Sequence, residues 1–302
     1  MTRAPASAAD PTVVTTGESS GPTFGLLAPL TPLRARSRVG SRAGEPPEDE
    51  LALVLRSGLV DALWLRDLPV APVDDDDVGQ GTDPFAELAH LAGRDLLPPL
   101  VGTASVILGT RHPLVLARQA LTVQAQSRGR LVLGVGTGGK PAMNAALGIR
   151  HRSLDDFASE WWVVRRALAG DAGHGVRIDV PVACPPPPQY LATTDTERWR
   201  SVDGDPDGWL AFAGDERQFS RQLEQLARIS GRPVPTAVRV DATVVGSDAA
   251  PSAAVPQRGR VTGTIDQLAA LLARWRRMPV THLLVNVRSA SPVDDLRRLR
   301  QA

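Results

Sequence analysis

The sequence predicts an α/β fold of the TIM type, a (β/α)8 barrel spanning residues 23–302, and three observations carry that expectation. Short apolar runs of strand length alternate with amphipathic stretches of helix length along almost the whole chain, the pattern of parallel strands joined by right-handed helical crossovers. One of those runs, Leu131–Val135, is apolar at every position apart from a glycine, so it reads as a strand buried on both faces, as in a parallel sheet covered by helices. The chain has 302 residues, 42% of them hydrophobic, enough for one large core and for a barrel of ~250 residues with extensions.

The elements follow in order. Residues 1–22, rich in Ala, Pro, Ser and Thr without a continuous apolar run, read as a disordered tail and not as a signal peptide. Thr23–Leu27 is a strand closed by Pro29. Residues 30–49 form a long loop carrying Arg34, Arg36, Arg38 and Arg42, a length usually reserved for functional or mobile segments. Glu48, Asp49 and Glu50 place negative charge in the first turn of a helix that Gly58 ends. Val60–Leu65 is the next strand, and Asp83-Pro84 opens a helix with Asp as cap and Pro at its first position. Leu100–Leu108 reads as one strand, Pro113 onward as a helix with Leu114, Ala117 and Leu121 on one face, and residues 130–135 as the central strand. Ser153 caps a helix through Phe157–Leu168, and the four prolines after Cys184 make an extended connector. Gln189–Thr194, Gly208–Phe212, Ala237–Val245 and Val280–Val287 are further strands. Phe219–Leu226, Leu268–Trp275 and a last turn or two at Asp294–Leu299 are helices. The count approaches eight strand–helix units, and their number within one continuous domain favours closure into a barrel over an open sheet.

Composition narrows the function. Lys+Arg of 34 against Asp+Glu of 33 gives a net charge of +1, which argues for neither a nucleic-acid nor a membrane-surface partner. The single Cys184 excludes an internal disulfide framework and suits a reducing cytoplasm. No apolar run reaches the ~18 residues needed to cross a bilayer. His90, His112, His151, His174, His282 and Cys184 show no metal spacing, and the Asp74–Asp77 run lacks the glycine and glutamate of a calcium loop, so no metal is expected.

The central strand opens into Gly134, Gly136, Thr137, Gly138 and Gly139. Glycines at a strand end let a ligand approach the backbone, and barrels bind ligands at the C-terminal ends of their strands. The spacing of Gly134, Gly136 and Gly139 also satisfies a dinucleotide fingerprint. The acid expected ~20 residues on would be Asp155, which lies at a helix start and not at a strand end, so a nicotinamide dehydrogenase is a lesser reading. Barrel closure would gather at one mouth the Pro29–Pro47 loop, Arg66-Asp67, Arg111-His112, the glycine loop and Thr193-Thr194.

Several segments carry a family resemblance: Ala62-Leu-Trp-Leu-Arg-Asp67, Asp83-Pro-Phe with Leu88 and Ala89, Gly102-Thr103 through Arg111-His-Pro113, and Gly129 through Gly138 with Leu147-Gly148. Through them the chain resembles the bacterial-luciferase-like flavin-dependent oxidoreductases, and Asp77-Val78-Gly79-Gln80 resembles the luciferase-type oxidoreductase branch. The resemblance implies a barrel with reduced FMN, or a deazaflavin, lying across its C-terminal face. It implies a small organic substrate, a separate flavin reductase as partner, and a homodimer as the family's habit. With FMN the activity would be a monooxygenation; with a deazaflavin, a reductase or dehydrogenase reaction. The phosphate turn of the family falls on Thr193-Thr194-Asp195, where the usual glycine is missing and an acid stands third. That departure supports an alternative: a degenerate barrel that binds flavin weakly and serves binding or assembly.

The candidate residues follow. His112, with a reference pKa near neutrality, could donate a proton or simply cap the helix that Pro113 begins. Arg111 could bind the flavin or an anionic substrate. Arg66 could pair with Asp67 beside the pocket. Trp64 could flank the ring, although a tryptophan in a buried strand is usually core; Ser105 could touch the ring from mid-strand, and Gly134, Gly136, Thr137, Gly138, Thr193 and Thr194 would receive the rest of the cofactor.

Overall fold

The computed structural model describes residues 21–28, 31–32, 50–70, 82–138, 141–149, 153–180, 184–202, 206–247 and 256–302. The expectations for the first twenty residues, the 30–49 arginines, Asp74–Asp77, Gly139 and His151 lie outside them.

Eight parallel strands close on themselves: β1 (Thr23–Leu27), β3 (Ala62–Leu65), β4 (Leu100–Thr103), β6 (Leu131–Gly136), β7 (Gln189–Ala192), β8 (Gly208–Phe212), β9 (Thr236–Val244) and β11 (His282–Ser289), with β11 returning to pair β1. The short strand β2 (Thr31–Pro32) adds to the far end of β11, β5 (Val106–Ile107) to β6, and β10 (Arg260–Gly263) to β9. Helices α1 (Glu50–Arg56), α2 (Pro84–Gly93), α3 (Pro113–Gln126), α4 (Pro141–Ala146), α5 (Leu154–Leu168), α6 (Thr196–Ser201), α7 (Glu216–Ser230), α8 (Ile265–Trp275) and α9 (Pro292–Gln301) run between and after the strands. This is the TIM-type barrel that the alternation predicts, and among the described residues no helix is long and apolar enough to cross a membrane.

Local chemistry explains the boundaries. The Asp83 carboxylate accepts from the backbone N–H groups of Phe85 and Ala86 at 3.0 Å each, with Pro84 at the first helical position. Ser153 and Asp156 form a reciprocal capping box on α5, as Thr264 and Gln267 do on α8. Gly231 ends α7 in the left-handed conformation, at φ 66°.

Two apolar layers result. The larger lies between the strands and the helical ring, with Leu63, Leu133, Val238, Leu283 and Val285 facing Phe157, Trp161 and Trp275. The smaller fills the barrel itself: Leu27, Ala62, Trp64, Ala104, Val132, Tyr190, Leu210, Ala237 and Leu284. Trp64 lies across this interior because its neighbours have no side chains. A Cβ on Gly102 would run into the indole, and one on Gly25 would come within 2.9 Å of it. Gly208 makes the same room for the Tyr190 ring. His282 completes the floor, its ring 5.7 Å from Trp64 and 6.1 Å from Tyr190, its Nδ1 2.7 Å from the Thr23 hydroxyl. Burial holds the His282 imidazole down to about 4 and the Tyr190 phenol up to about 12, so both rings are neutral at pH 7.

Several elements differ from the sequence reading. Leu100–Leu108 is not one strand: it breaks at Ala104-Ser105, a cis peptide, and the pairing with β6 slips by one residue between Val101↔Leu131 and Val106↔Val135. Strands β2 and β10 and the six-residue α6 carry too few residues for periodicity to reveal. The final helix is ten residues long, because Leu296 and Leu299 find a buried seat that polar periodicity concealed.

Candidate functional site

Side chains alternate in and out along a strand, so the inward residues of the filled interior identify those above them at the mouth. Ala237 points inward, and Arg239, Asp241 and Thr243 share its face. Leu284 points inward with Asn286 and Arg288 above it. Leu210 leads to Phe212, and Trp64 to Arg66 directly past β3. An apolar floor therefore gives way to a polar upper wall in which arginine dominates.

Along that wall the bonds are specific. Arg239 grips Asp241 in two-pronged fashion, Nε to Oδ1 at 2.9 Å and NH2 to Oδ2 at 2.6 Å, and its guanidinium lies over the Phe212 ring at 5.4 Å. Phe212 remains 37% exposed. Asn286 donates to the Leu27 carbonyl at 2.7 Å and ties β11 to β1. Half-buried Arg288 has its Nε buried with no hydrogen-bond partner among the described residues.

The glycine loop divides into two roles. A Cβ on Gly134 would strike the backbone carbonyl of Thr103, whose hydroxyl donates to the Gly134 carbonyl at 2.9 Å; that glycine lets β4 and β6 press together. Gly136 lies nearer the mouth, where a Cβ would meet the Ser105 hydroxyl at 2.8 Å and Ala192 at 3.2 Å. Ser105 therefore stands not in mid-strand, as the sequence reading had it, but at the strand break, facing the opening that Gly136 leaves. Gly138 turns at φ 68° against Ile107 and Met143. Thr137 accepts at 2.9 Å from Arg198 of α6, which lies 6.0 Å from the Phe157 ring and has its Nε buried without a partner among the described residues.

Beside them, the Thr193 hydroxyl accepts from the Asp195 N–H at 3.0 Å, and the Thr193 carbonyl accepts from the Trp209 indole at 2.9 Å. That hydroxyl is spent on the turn itself, whereas Thr194 and Asp195 are exposed. The predicted members Gly136, Thr137, Gly138, Thr193 and Thr194 thus come together on the β6–β7 side of the mouth, with Arg198 added. Trp64 does not join them. It is fully buried in the barrel interior and offers a ligand no surface.

The loops after β3 and β5 meet through a different pair from the one expected. Asp67 takes Arg111, not Arg66: NH2 of Arg111 lies 2.9 and 2.8 Å from the two carboxylate oxygens, and Asp67 also accepts from the Ile107 N–H. Burial pushes the Asp67 carboxyl up, against the pull of Arg111 and the Ile107 N–H. Arg111 lies 5.6 Å from the Phe85 ring, and its NH1 is buried without a partner among the described residues. Exposed His112 is the N-cap of α3, its Nδ1 accepting from the Leu114 N–H at 3.2 Å. That bond assigns the proton of the neutral ring to Nε2, so capping and outward donation are compatible in one side chain.

Sequence reasoning missed Arg198, Phe212, Arg239, Asp241, Asn286 and Arg288. A signal for four of them was there: Val-Arg-Val-Asp-Ala-Thr-Val from 238 and Val-Asn-Val-Arg from 285 alternate apolar and polar, which a strand buried on both faces does not do unless one face meets an opening.

A parallel (β/α)8 barrel with an apolar floor, a break after β4, and a glycine loop and arginines around its C-terminal mouth is a small-molecule-binding scaffold of the enzyme type. The sequence profile of the luciferase-like monooxygenases matches residues 69–282. The chain belongs to the luciferase-like monooxygenase family. Among solved structures it is similar to an F420-dependent secondary alcohol dehydrogenase in complex with an F420–acetone adduct (13% identity, 93% of this chain and 97% of that one, TM-score 0.66). It is similar also to the coenzyme F420-dependent tetrahydromethanopterin reductase from Methanopyrus kandleri (14% identity, 92% and 97%, TM-score 0.65) and to a monooxygenase from Streptomyces bottropensis (19% identity, 92% and 96%, TM-score 0.61). At such identities these likenesses speak for the fold.

Proposed function

We propose that this protein is a cytoplasmic flavin-dependent oxidoreductase of the monooxygenase kind, using reduced FMN delivered by a separate reductase on a small organic substrate. One observation carries the reading: Arg198 is set into the glycine loop through Thr137 while its Nε is buried with no partner among the described residues. A buried guanidinium N–H without an acceptor calls for one, and a phosphate oxygen supplies it with charge as well as geometry. Arg198, Thr137 and Thr194 would hold the phosphate, and the side-chain-free backbone at Gly136 and the Ser105 hydroxyl would face the ring. Arg198 also answers the objection raised by Asp195, whose exposed carboxylate is screened by water.

When bound, the flavin supplies the electron-transfer and oxygen chemistry; the chain's residues position and protect it. His112, with its proton on Nε2, would donate to a developing negative charge. Arg111, fixed by Asp67 and Phe85, sets the local field without moving. The apolar floor of Trp64, Tyr190 and Leu210 excludes water from below.

A second reading, a deazaflavin-dependent dehydrogenase or reductase, is favoured by the likeness to the two F420-dependent enzymes, each aligned over more than nine-tenths of both chains. Parallel titrations with FMN, riboflavin and coenzyme F420 test both. FMN binding at least tenfold tighter than riboflavin, with that margin lost in Arg198→Gln, is the expected result. Binding of coenzyme F420 alone selects the second reading. Failure of all three would return the chain to the degenerate-barrel alternative.

A further inference from the structure

We propose that Arg288 forms an oxyanion subsite that selects a small organic anion, a carboxylate or sulfonate, as the substrate of this barrel; this rests on the flavin-dependent reading above. The argument begins with which charges around the mouth are already committed. Arg239 is neutralised in place by Asp241 through two short contacts and is held over the Phe212 ring. Arg111 is neutralised by Asp67, and Arg198 is engaged with Thr137. Among the described residues, Arg288 differs from Arg111 and Arg239 in having no carboxylate partner, and from Arg198 in making no side-chain hydrogen bond. It shares the inward face of β11 with Leu284 and Asn286, pairs in register with Thr243 and Thr31, and has no carboxylate partner among the described residues. Its Nε is buried without an acceptor, while the residue keeps part of its surface open.

A guanidinium partly withdrawn from water and left without a counter-charge is costly unless a ligand completes it. Its planar fork matches a carboxylate or sulfonate in two-pronged fashion. Two sources could bring that oxyanion: the flavin's phosphate or the substrate. The barrel order separates them. From β11 the strands run β1, β3, β4, β6, so β11 stands four strands of eight from β6 and the glycine loop that Arg198 reinforces. One wall of the mouth thus serves the cofactor's phosphate and the opposite wall the substrate's charge. Phe212, lower in the barrel on β8, two strands from β11, and 37% exposed, gives the apolar body of such a molecule a surface to rest on.

The test uses the full chain with benzoate as probe and benzamide as its neutral isostere, followed by ligand-observed NMR at low salt, with and without FMN. Expected results are benzoate binding at least tenfold tighter than benzamide, and a loss of tenfold or more in Arg288→Gln with FMN affinity unchanged. Arg288→Lys, which keeps the charge and loses the fork, should fall between, and it stands in for Arg288→Gln if that variant does not fold. Equal benzoate binding by parent and variants, or no benzoate binding by the parent, overturns the subsite. Loss of FMN affinity in Arg288→Gln with benzoate unaffected also overturns it, by assigning the arginine to the cofactor's phosphate. Arg288-dependent benzoate binding in a protein that takes up no flavin supports the subsite and removes the flavin reading instead, so the two fail separately.

Discussion

His282 makes the stability of this barrel depend on pH in a direction that can be worked out in advance. The imidazole is buried at the floor between Trp64 and Tyr190, with the Thr23 hydroxyl as its polar neighbour, and burial lowers its pKa from 6.5 to about 4. Unfolded, the same ring titrates near 6.5. Between these values the unfolded chain binds a proton that the folded chain refuses, so stability rises with pH across the window. The contribution is complete above 6.5 and lost as pH falls to about 4. At 1.36 kcal/mol per pKa unit, that move is worth ~3 kcal/mol. With an unfolding entropy of ~2.1 cal/mol/K per residue, it corresponds to a shift of ~5 °C in Tm for a chain of this length.

Carboxylates titrate at the lower end of the same window, so the parent must be compared with His282→Gln, which keeps a polar group beside Thr23 and cannot be protonated. Urea denaturation at pH 7 and pH 4 should show the parent losing ~3 kcal/mol more than the variant between the two pH values. The His282 ring signal in NMR should titrate near 4 in the folded protein. Parallel stability curves for parent and variant, or a folded-state titration near 6.5, would refute the reasoning.

Four other outcomes can be checked directly. Gly134→Ala should cost far more stability than Gly136→Ala, because backbone blocks the first and a side-chain hydroxyl and a methyl group the second, whereas Gly136→Ala should weaken flavin binding; paired thermal melts and flavin titrations decide, and equal melting losses would contradict the assignment. Asp67→Asn leaves the half-buried Arg111 charge with only the Asp83 carboxylate, 3.9 Å away, and should cost ~3 kcal/mol in chemical denaturation; a cost below ~1 kcal/mol would mean that Asp83 and water replace the pair readily. His112→Ala should cost ~1 kcal/mol as a lost helix cap, and His112→Asn should restore that stability without restoring turnover; normal turnover in both variants would confine His112 to capping. Asp195→Ser should tighten FMN about fivefold at low salt and less at high salt, since an exposed carboxylate ~4 Å from a phosphate charge costs ~1 kcal/mol in water; no change at either salt would place the phosphate elsewhere.

The barrel could be inferred from sequence because its causes are local and repeated. Strand runs, the Asp83 and Ser153 caps and the alternation of element types each depend on a few neighbouring residues, and eight such units leave a parallel sheet little choice but to close. The glycine loop was legible for the same reason, and the family resemblance brought Thr193 and Thr194 to its side. What the sequence could not reveal is what a glycine or an arginine faces across the barrel. Gly134 and Gly136 look alike in sequence, yet one accommodates the Thr103 carbonyl and the other opens toward Ser105. Asp67 stands next to Arg66 in the chain but takes Arg111, forty-four residues on, because the loops after β3 and β5 meet over the mouth. In sequence Trp64 could flank a ring or belong to the core, and only closure, which places Gly25 and Gly102 beside it, decides for the floor. Arg198 and Arg288 acquire roles only when elements from opposite halves of the chain come side by side, whereas Arg239 is neutralised by Asp241 two residues on. Closure determines which of the remaining charges are neutralised and which are left for a ligand, since hydrogen bonds and ion pairs act over a few ångströms and the chain brings distant residues that close only by folding.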